Sequence, residues 1–336
     1  MASTILCPNQ VTSPVTLLFH PTFLTSDREK LAEFFERVFG VPSDRQGELA
    51  GNPDYGADDD YPSDYSLYTW IADVWFDAIQ PDRYPFAHPA LHKSLDRLSE
   101  IGWIVDDAVA VYRACRNAGI RVLDQHGAVI ADEAQLSAGS AVSSDVNLIW
   151  LSTDDAGLSV ELTYMSPAFT PSFAVPFKFW PLVEGGFPRR DGPIGPLGIL
   201  RGARHTFLTA DLDRATNLMV AALGGTKVAE NTDRSSGAKS ILLDLAGVTV
   251  EYIQPAAGDA RLGALDDPAY GLTGERQRDV YWSVSFLVED LNKTRAHLEL
   301  NGIALDINDE DLILTNPRDC LGMRWGFMTR PIPGSA

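Results

Sequence analysis

The stretch HPTFLTSD at residues 20–27 returns as RHTFLTAD at residues 204–211. In both copies an apolar, strand-like segment runs into an Asp, then an amphipathic helix pattern, a Gly and further strand-like segments. A repeat of this kind constrains the fold strongly, because a unit used several times must bury its apolar faces against copies of itself. The copies differ at the head, where His20 in one is matched by Arg204 in the other.

Two weaker copies complete the set. EIGWIVDD (100–107) leads into AVAVYRACRNAG, and SVSFLVED (283–290) leads into LNKTRAHLELNG. The predicted helices carry apolar stripes: Leu31, Phe34, Phe35 and Val38 in the first, Val111, Cys115 and Ala118 in the second, Leu212, Ala215, Met219 and Ala222 in the third. Gly40, Gly119 and Gly302 follow as stop signals, and Ser26 or Asp27 stands where the first helix needs a cap.

Each copy closes on a strand-like segment: IADVWFDAIQP (71–81), AGLSVELTYMSP (156–167), LAGVTVEYIQP (245–255) and LGMRWGFMTRP (321–331). The unit is therefore a strand, a helix and about three more strands. Such a βαβββ module cannot cover its own sheet, so modules must pair. The expected fold class is α+β, with four βαβββ modules paired into two cup-shaped half-barrel domains.

The segment 166–196 is dense in Pro and Gly and free of helical period, which marks a boundary between halves. The expected first domain is 10–167, with modules at about 14–81 and 97–167. A linker at 168–198 and a second domain at 199–331 follow, the latter with modules at about 199–256 and 279–331. Residues 51–65 and 81–95 are irregular. The acidic run at 58–60 lacks the closing Glu of a calcium loop and is expected to be solvated surface. Pairing of the first module with the second, or with the fourth, stays open at this level.

With 46 acidic and 27 basic residues, the formal charge of −19 repels phosphate backbones and anionic lipid, so neither nucleic acid nor membrane is an expected partner. Cys7, Cys115 and Cys320 are too few and too dispersed for a disulfide framework, which suits a reducing, cytoplasmic setting. The N-terminus lacks a secretory leader pattern, and no apolar run approaches bilayer length. The expected partner is a small-molecule substrate, and the free sheet edges are compatible with a homodimer.

The fourfold order of a strand-to-helix junction ending in Asp and a closing strand bearing an acid resembles the vicinal oxygen chelate superfamily. That group includes glyoxalase I, bleomycin-resistance proteins and extradiol dioxygenases. The resemblance implies that two modules close a cup and that metal ligands come from the first and last strands of each module. Carried over residue by residue, it assigns His20 and Asp77 to the first module, Glu100 and Glu161 to the second, Arg204 and Glu251 to the third, and Ser283 and Gly326 to the fourth. The first cup is then expected to hold a divalent metal (Mn, Fe, Mg or Zn) on His20, Asp77 and Glu161, with Glu100 and Glu161 as the catalytic acids and Glu100 as ligand or general base. The second cup reads as a structural copy in which Arg204 faces Glu251. Trp75, His205 and Glu251 are candidates to line a substrate site, His205 only if a bulge swings it into the cup.

Plainer readings compete. Glu161 and Glu251 interrupt apolar strands, and such acids must be paired, ligated or at a rim. Asp77 equally suits a hydrogen-bond acceptor, and His20 a histidine satisfied by backbone. Glu100, preceded by the helix-like LHKSLDRLSE, is expected to be exposed. His88, His92, His126 and His297 are assigned no role. The aromatics Phe19, Trp70, Trp75, Trp103, Trp150, Phe177, Phe179 and Trp180 read mainly as core, with some available to a pocket.

The function expected from the resemblance is that of a metal-assisted, non-redox isomerase or lyase that stabilises an enolate or oxyanion on a small oxygenated, aromatic compound. One alternative is an atypical extradiol-type ring-cleaving dioxygenase, although the two-histidine, one-carboxylate iron face is missing from the motif positions. The other is a metal-free small-molecule binding or resistance protein.

Overall fold

The computed structural model describes residues 13–45, 65–83, 96–138, 146–165, 192–267 and 278–330. Most of the acidic insertion, His88, His92, Cys7 and most of the Pro/Gly-rich segment lie outside these residues. Each of the four repeats forms one βαβββ module. The strands are β1 (Val15–Leu24), β2 (Ser43–Arg45), β3 (Ser66–Ile71) and β4 (Val74–Ile79) in the first module, and β5 (Arg97–Val105), β6 (Val122–Leu123), β7 (Val146–Leu151) and β8 (Ser159–Met165) in the second. The third has β9 (Ile199–Leu208), β10 (Thr226–Thr232), β11 (Lys239–Leu245) and β12 (Val248–Gln254). The fourth has β13 (Val280–Val288), β14 (Leu305–Asn308), β15 (Leu312–Thr315) and β16 (Trp325–Met328).

The Asp that ends each repeated stretch has one local job. Asp27, Asp107, Asp211 and Asp290 all sit in extended backbone, and their carboxylates accept from backbone N–H groups in the first helical turn: Lys30 at 3.2 Å, Ala110 at 2.8 Å, Arg214 at 2.9 Å, and Asn292 and Lys293 at 2.8 and 3.3 Å. These bonds satisfy donors that a helix start leaves free. Ser26 instead turns its hydroxyl to Asp96. The first and third helices do not stay α-helical: Arg28–Phe34 widens into π-helical turns over Phe35–Phe39, and Leu212–Thr216 into Asn217–Ala222. The wider winding lets the sequence neighbours Phe34 and Phe35 both be buried.

Two eight-stranded mixed sheets result, in the orders β2-β3-β4-β1-β5-β8-β7-β6 and β10-β11-β12-β9-β13-β16-β15-β14. Their centres are the antiparallel pairs β1 with β5 and β9 with β13. Module one therefore pairs with two and module three with four, and the alternative pairing is excluded.

The helices lie between the two sheets and are shared. Phe39 stands 4.8 Å from Trp325 and 6.2 Å from Phe286, ring centre to ring centre, and His297 Nε2 meets the Val38 carbonyl at 3.0 Å. Asn217 donates to the Ala118 carbonyl at 3.0 Å, joining the second and third modules. One continuous apolar cluster thus runs from Phe23, Phe76 and Trp103 through the helices to Phe207, Phe286 and Phe327. Side chains on the opposite sheet faces, among them Trp75, Trp150, Leu242, Leu287, Leu314 and Met328, are buried but lie outside that cluster. Those faces are the cups.

Candidate functional site

Two neighbouring rows of residues cross the floor of the first cup. One runs Tyr68, Asp77, Thr22, Glu100, Ser159, and the other, two residues along each strand, runs His20, Gly102, Glu161, Trp150. Alternation along a strand sends residues two apart to the same face, so all the acids expected from the first two modules meet there. Four ionisable side chains, His20, Asp77, Glu100 and Glu161, are between 0% and 7% exposed.

Gly102 is what lets the second row close. A Cβ there would lie 3.1 Å from His20 Cε1 and 3.3 Å from Nδ1, so the missing side chain makes room for the imidazole. Across it, His20 Nε2 and Glu161 Oε1 stand 4.0 Å apart. Two donors bound to one cation at about 2.1 Å are separated by roughly 3 to 4.2 Å, so this gap suits a shared ion. The other ring nitrogen, Nδ1, is 3.1 Å from Thr22 Oγ1, which orients the ring.

The carboxylates are held by hydroxyl and indole donors rather than by cations. Ser66 Oγ donates to Asp77 at 2.7 Å, and Thr163 Oγ1 to Glu161 at 2.6 Å. Glu100 is the most enclosed: Trp150 Nε1 donates at 2.8 Å, Ser159 Oγ at 2.6 Å and Thr22 Oγ1 at 3.4 Å. Burial pushes the Asp77 carboxyl up to about 7, with repulsion from Glu161 adding to it. Burial likewise raises Glu100 and Glu161, and Glu100 is raised further by the Glu161 charge.

The expectation that Glu100 is exposed is overturned: β5 begins at Arg97, three residues before it, and Glu100 is fully buried. Charge in LHKSLDRLSE suggested a helix, but pairing with β1 and β8 decides the backbone there. Trp75 takes its place at the cup, stacked on Tyr68 at 4.6 Å and edge-on to His20 at 6.2 Å. Asp77 sits one row from the His20–Glu161 gap. Among the described residues no three His, Cys, Asp or Glu side chains converge as a formed metal cluster. Sequence reasoning missed Thr22, Ser66, Ser159 and Thr163, the donors that make buried acids tolerable. Their signal was period two: Thr22 is His20 plus two, and Ser159 and Thr163 flank Glu161 at two.

The second cup has the same two rows with other residues. Glu251, Thr206 and Ser283 form one, and Arg204, Ser285 and Gly326 the other. Arg204 Nη1 pairs with Glu251 Oε2 at 3.0 Å, so the expected ion pair is present. His205 lies on the opposite face with Phe207 and Tyr281, bonded to the Tyr281 hydroxyl, and burial lowers it to about 3. Regular pairing of His205 with Val250 and Val284 keeps it there, and no bulge brings it to Glu251.

No protein-family model matches the chain, and no curated protein matches it. Solved structures do. A mutant of 4-hydroxymandelate synthase from Streptomyces coelicolor aligns at a TM-score of 0.56 with 14% identity, over 96% of this chain and 95% of that one. The Mn(II)-bound glyoxalase from Novosphingobium aromaticivorans aligns at 0.54 with 12% identity, over 94% and 82%. A halotolerant catechol dioxygenase aligns at 0.50 with 12% identity, over 94% and 86%. The chain has the fold of the vicinal oxygen chelate superfamily in its four-module form, and at these identities the likeness is one of fold.

Proposed function

We propose that the first cup is a divalent-cation site of a non-redox enzyme, an isomerase or lyase acting on a small oxygenated, aromatic compound. The observation that carries this reading is the meeting of three buried carboxylates and one imidazole on one cup floor, with His20 Nε2 and Glu161 Oε1 4.0 Å apart. Buried acids without a cation hold protons, and a divalent ion is the partner that such a donor set fits. His20, Asp77 and Glu161 would hold it. Carboxylate and imidazole together suit Mn, Fe, Mg or Zn. When bound, the ion supplies Lewis acidity to neighbouring oxygens of the substrate.

The protein's own residues supply the rest. Glu161 is slightly exposed where Glu100 is fully buried, so Glu161 is the acid nearer the substrate and Glu100 lies behind it. Moving one proton from a carbon beside an oxygen to Glu161, and returning it to another position, is an isomerisation; expulsion of a leaving group instead makes it a lyase. Trp75, Tyr68 and Phe19 form an aromatic wall beside His20 suited to a ring-bearing ligand.

Among the described residues His20 is the one imidazole on a cup face, which favours this reading over ring cleavage at a two-histidine iron site. The test is metal content with solvent exchange. The purified protein should carry about one divalent ion, His20→Ala should lose it, and the loaded protein should exchange carbon-bound hydrogen of aromatic hydroxy- or oxo-acids for deuterium without consuming oxygen. Full metal content in His20→Ala, or oxygen uptake with catechols, would reject it.

A further inference from the structure

The second cup is not an empty copy. In the first cup the row across the floor is imidazole, Gly102, carboxylate; in the second it is guanidinium, Ser285, Gly326. The counterpart of the Glu161 acid is thus missing, and a fixed cation shares its row. The Arg204–Glu251 pair is made through Nη1. Arg204 Nε and Ser285 Oγ are both buried and have no hydrogen-bond partner among the described residues. These two donors belong to cross-strand neighbours. The Ser285 hydroxyl lies over Gly326, where a Cβ would come within 2.1 Å of it.

Two buried donors without partners on paired residues are costly, and one oxyanion reaching both would satisfy them. The Nε edge of a guanidinium, with its neighbouring N–H, is the fork that accepts a carboxylate in two parallel bonds. Glu251 does not repel such a ligand strongly, since Arg204 pairs with it and the Arg261 guanidinium feels its charge as well. Around this polar spot the floor and wall are apolar: Leu242, Leu287, Leu314 and Met328 share the cup face with Glu251, Ser285 and Gly326, and each keeps a few per cent of its surface exposed, unlike the core face. A few convergent polar groups in an apolar cup describe a small-molecule site.

We propose that the second cup binds a small carboxylic acid with an apolar body, its carboxylate accepting from Arg204 Nε and Ser285 Oγ. The ligand completes the duplicated row with the acid that the chain lacks there. This site is independent of the metal reading of the first cup.

Titration calorimetry of the full chain with benzoate tests it. Saturable binding of one benzoate is expected, retained in His20→Ala, weakened about tenfold in Ser285→Ala and more in Arg204→Lys, which keeps the charge but not the fork. Benzamide and inorganic phosphate should bind far more weakly. Ser285→Ala removes an unpartnered hydroxyl and should fold, so it decides the matter if Arg204→Lys does not. No saturable binding, equal affinity in Ser285→Ala, loss in His20→Ala, or benzamide or phosphate binding as tightly as benzoate would each overturn the proposal.

Discussion

Thr22 sits between Asp77 and Glu100 in one row, and its hydroxyl also meets His20 in the next. That crowding of acids has a pH signature. Unfolded, Asp77 ionises near 3.8 and the glutamates near 4.5; folded, Asp77 is pushed up to about 7 and both glutamates are raised. Between these limits the folded protein binds more protons than the unfolded chain, so stability is fully present at low pH and lost as pH rises through about 7. Each unit of raised pKa is worth about 1.4 kcal/mol. The melting temperature of chelator-treated protein should therefore fall from pH 5 to pH 8, in part also through Asp279, which burial raises to about 6. Asp77→Asn should flatten the fall, and a divalent cation should reverse it at pH 8; an unchanged slope in Asp77→Asn would contradict the assignment. At Gly102 the prediction is steric. Gly102→Ala puts a methyl about 3.1 Å from the imidazole, so metal affinity should drop by about tenfold or more while the fold survives, as measured by metal titration and thermal melting.

At the scale of the element, the repeated Asp is architectural. The four helix caps use the same atom in the same extended backbone, and none of these carboxylates belongs to the cups. Asp107→Ala should cost about 1 kcal/mol in denaturant unfolding without changing metal content. Asp290 accepts from two N–H groups, so Asp290→Ala should cost at least as much. The strands were legible from alternation, since a face buried in a sheet writes its period of two into the residues. The switch from α to π winding at Phe35 and Asn217 was not, because adjacent Phe residues look alike in either winding until the facing ring of Trp325 is present.

For the whole molecule, the two sheets meet through their helices and share one apolar cluster. Phe39 packs against Phe34 and Phe35 of its own helix and against Trp325, Phe286 and Phe327 of the far sheet. Phe39→Ala should cost about 3 to 5 kcal/mol, and both halves should unfold in one transition when followed by tryptophan fluorescence and circular dichroism. Two separated transitions would show that the halves bury their cores independently. No helix among the described residues is long and apolar enough to cross a membrane.

By itself the sequence determined the module, its four copies and the Asp caps, because each follows from local periodicity and from a strand-to-helix junction written in eight residues. The motif positions expected to face the cups came from the resemblance to the vicinal oxygen chelate superfamily. Arg204 beside Glu251 was implied by the same resemblance. Tertiary structure decided what depends on strand neighbours far apart in the chain: that β1 pairs with β5, that Glu100 is sealed under Trp150 and Ser159, that His205 faces the core, and that Gly102 opens a space between His20 and Glu161. Register between distant strands sets which side chains share a row, and a one-residue slip would send each to the other face. HPTFLTSD and RHTFLTAD therefore specify the same junction, while the rows they join make one cup acidic and give the other a guanidinium.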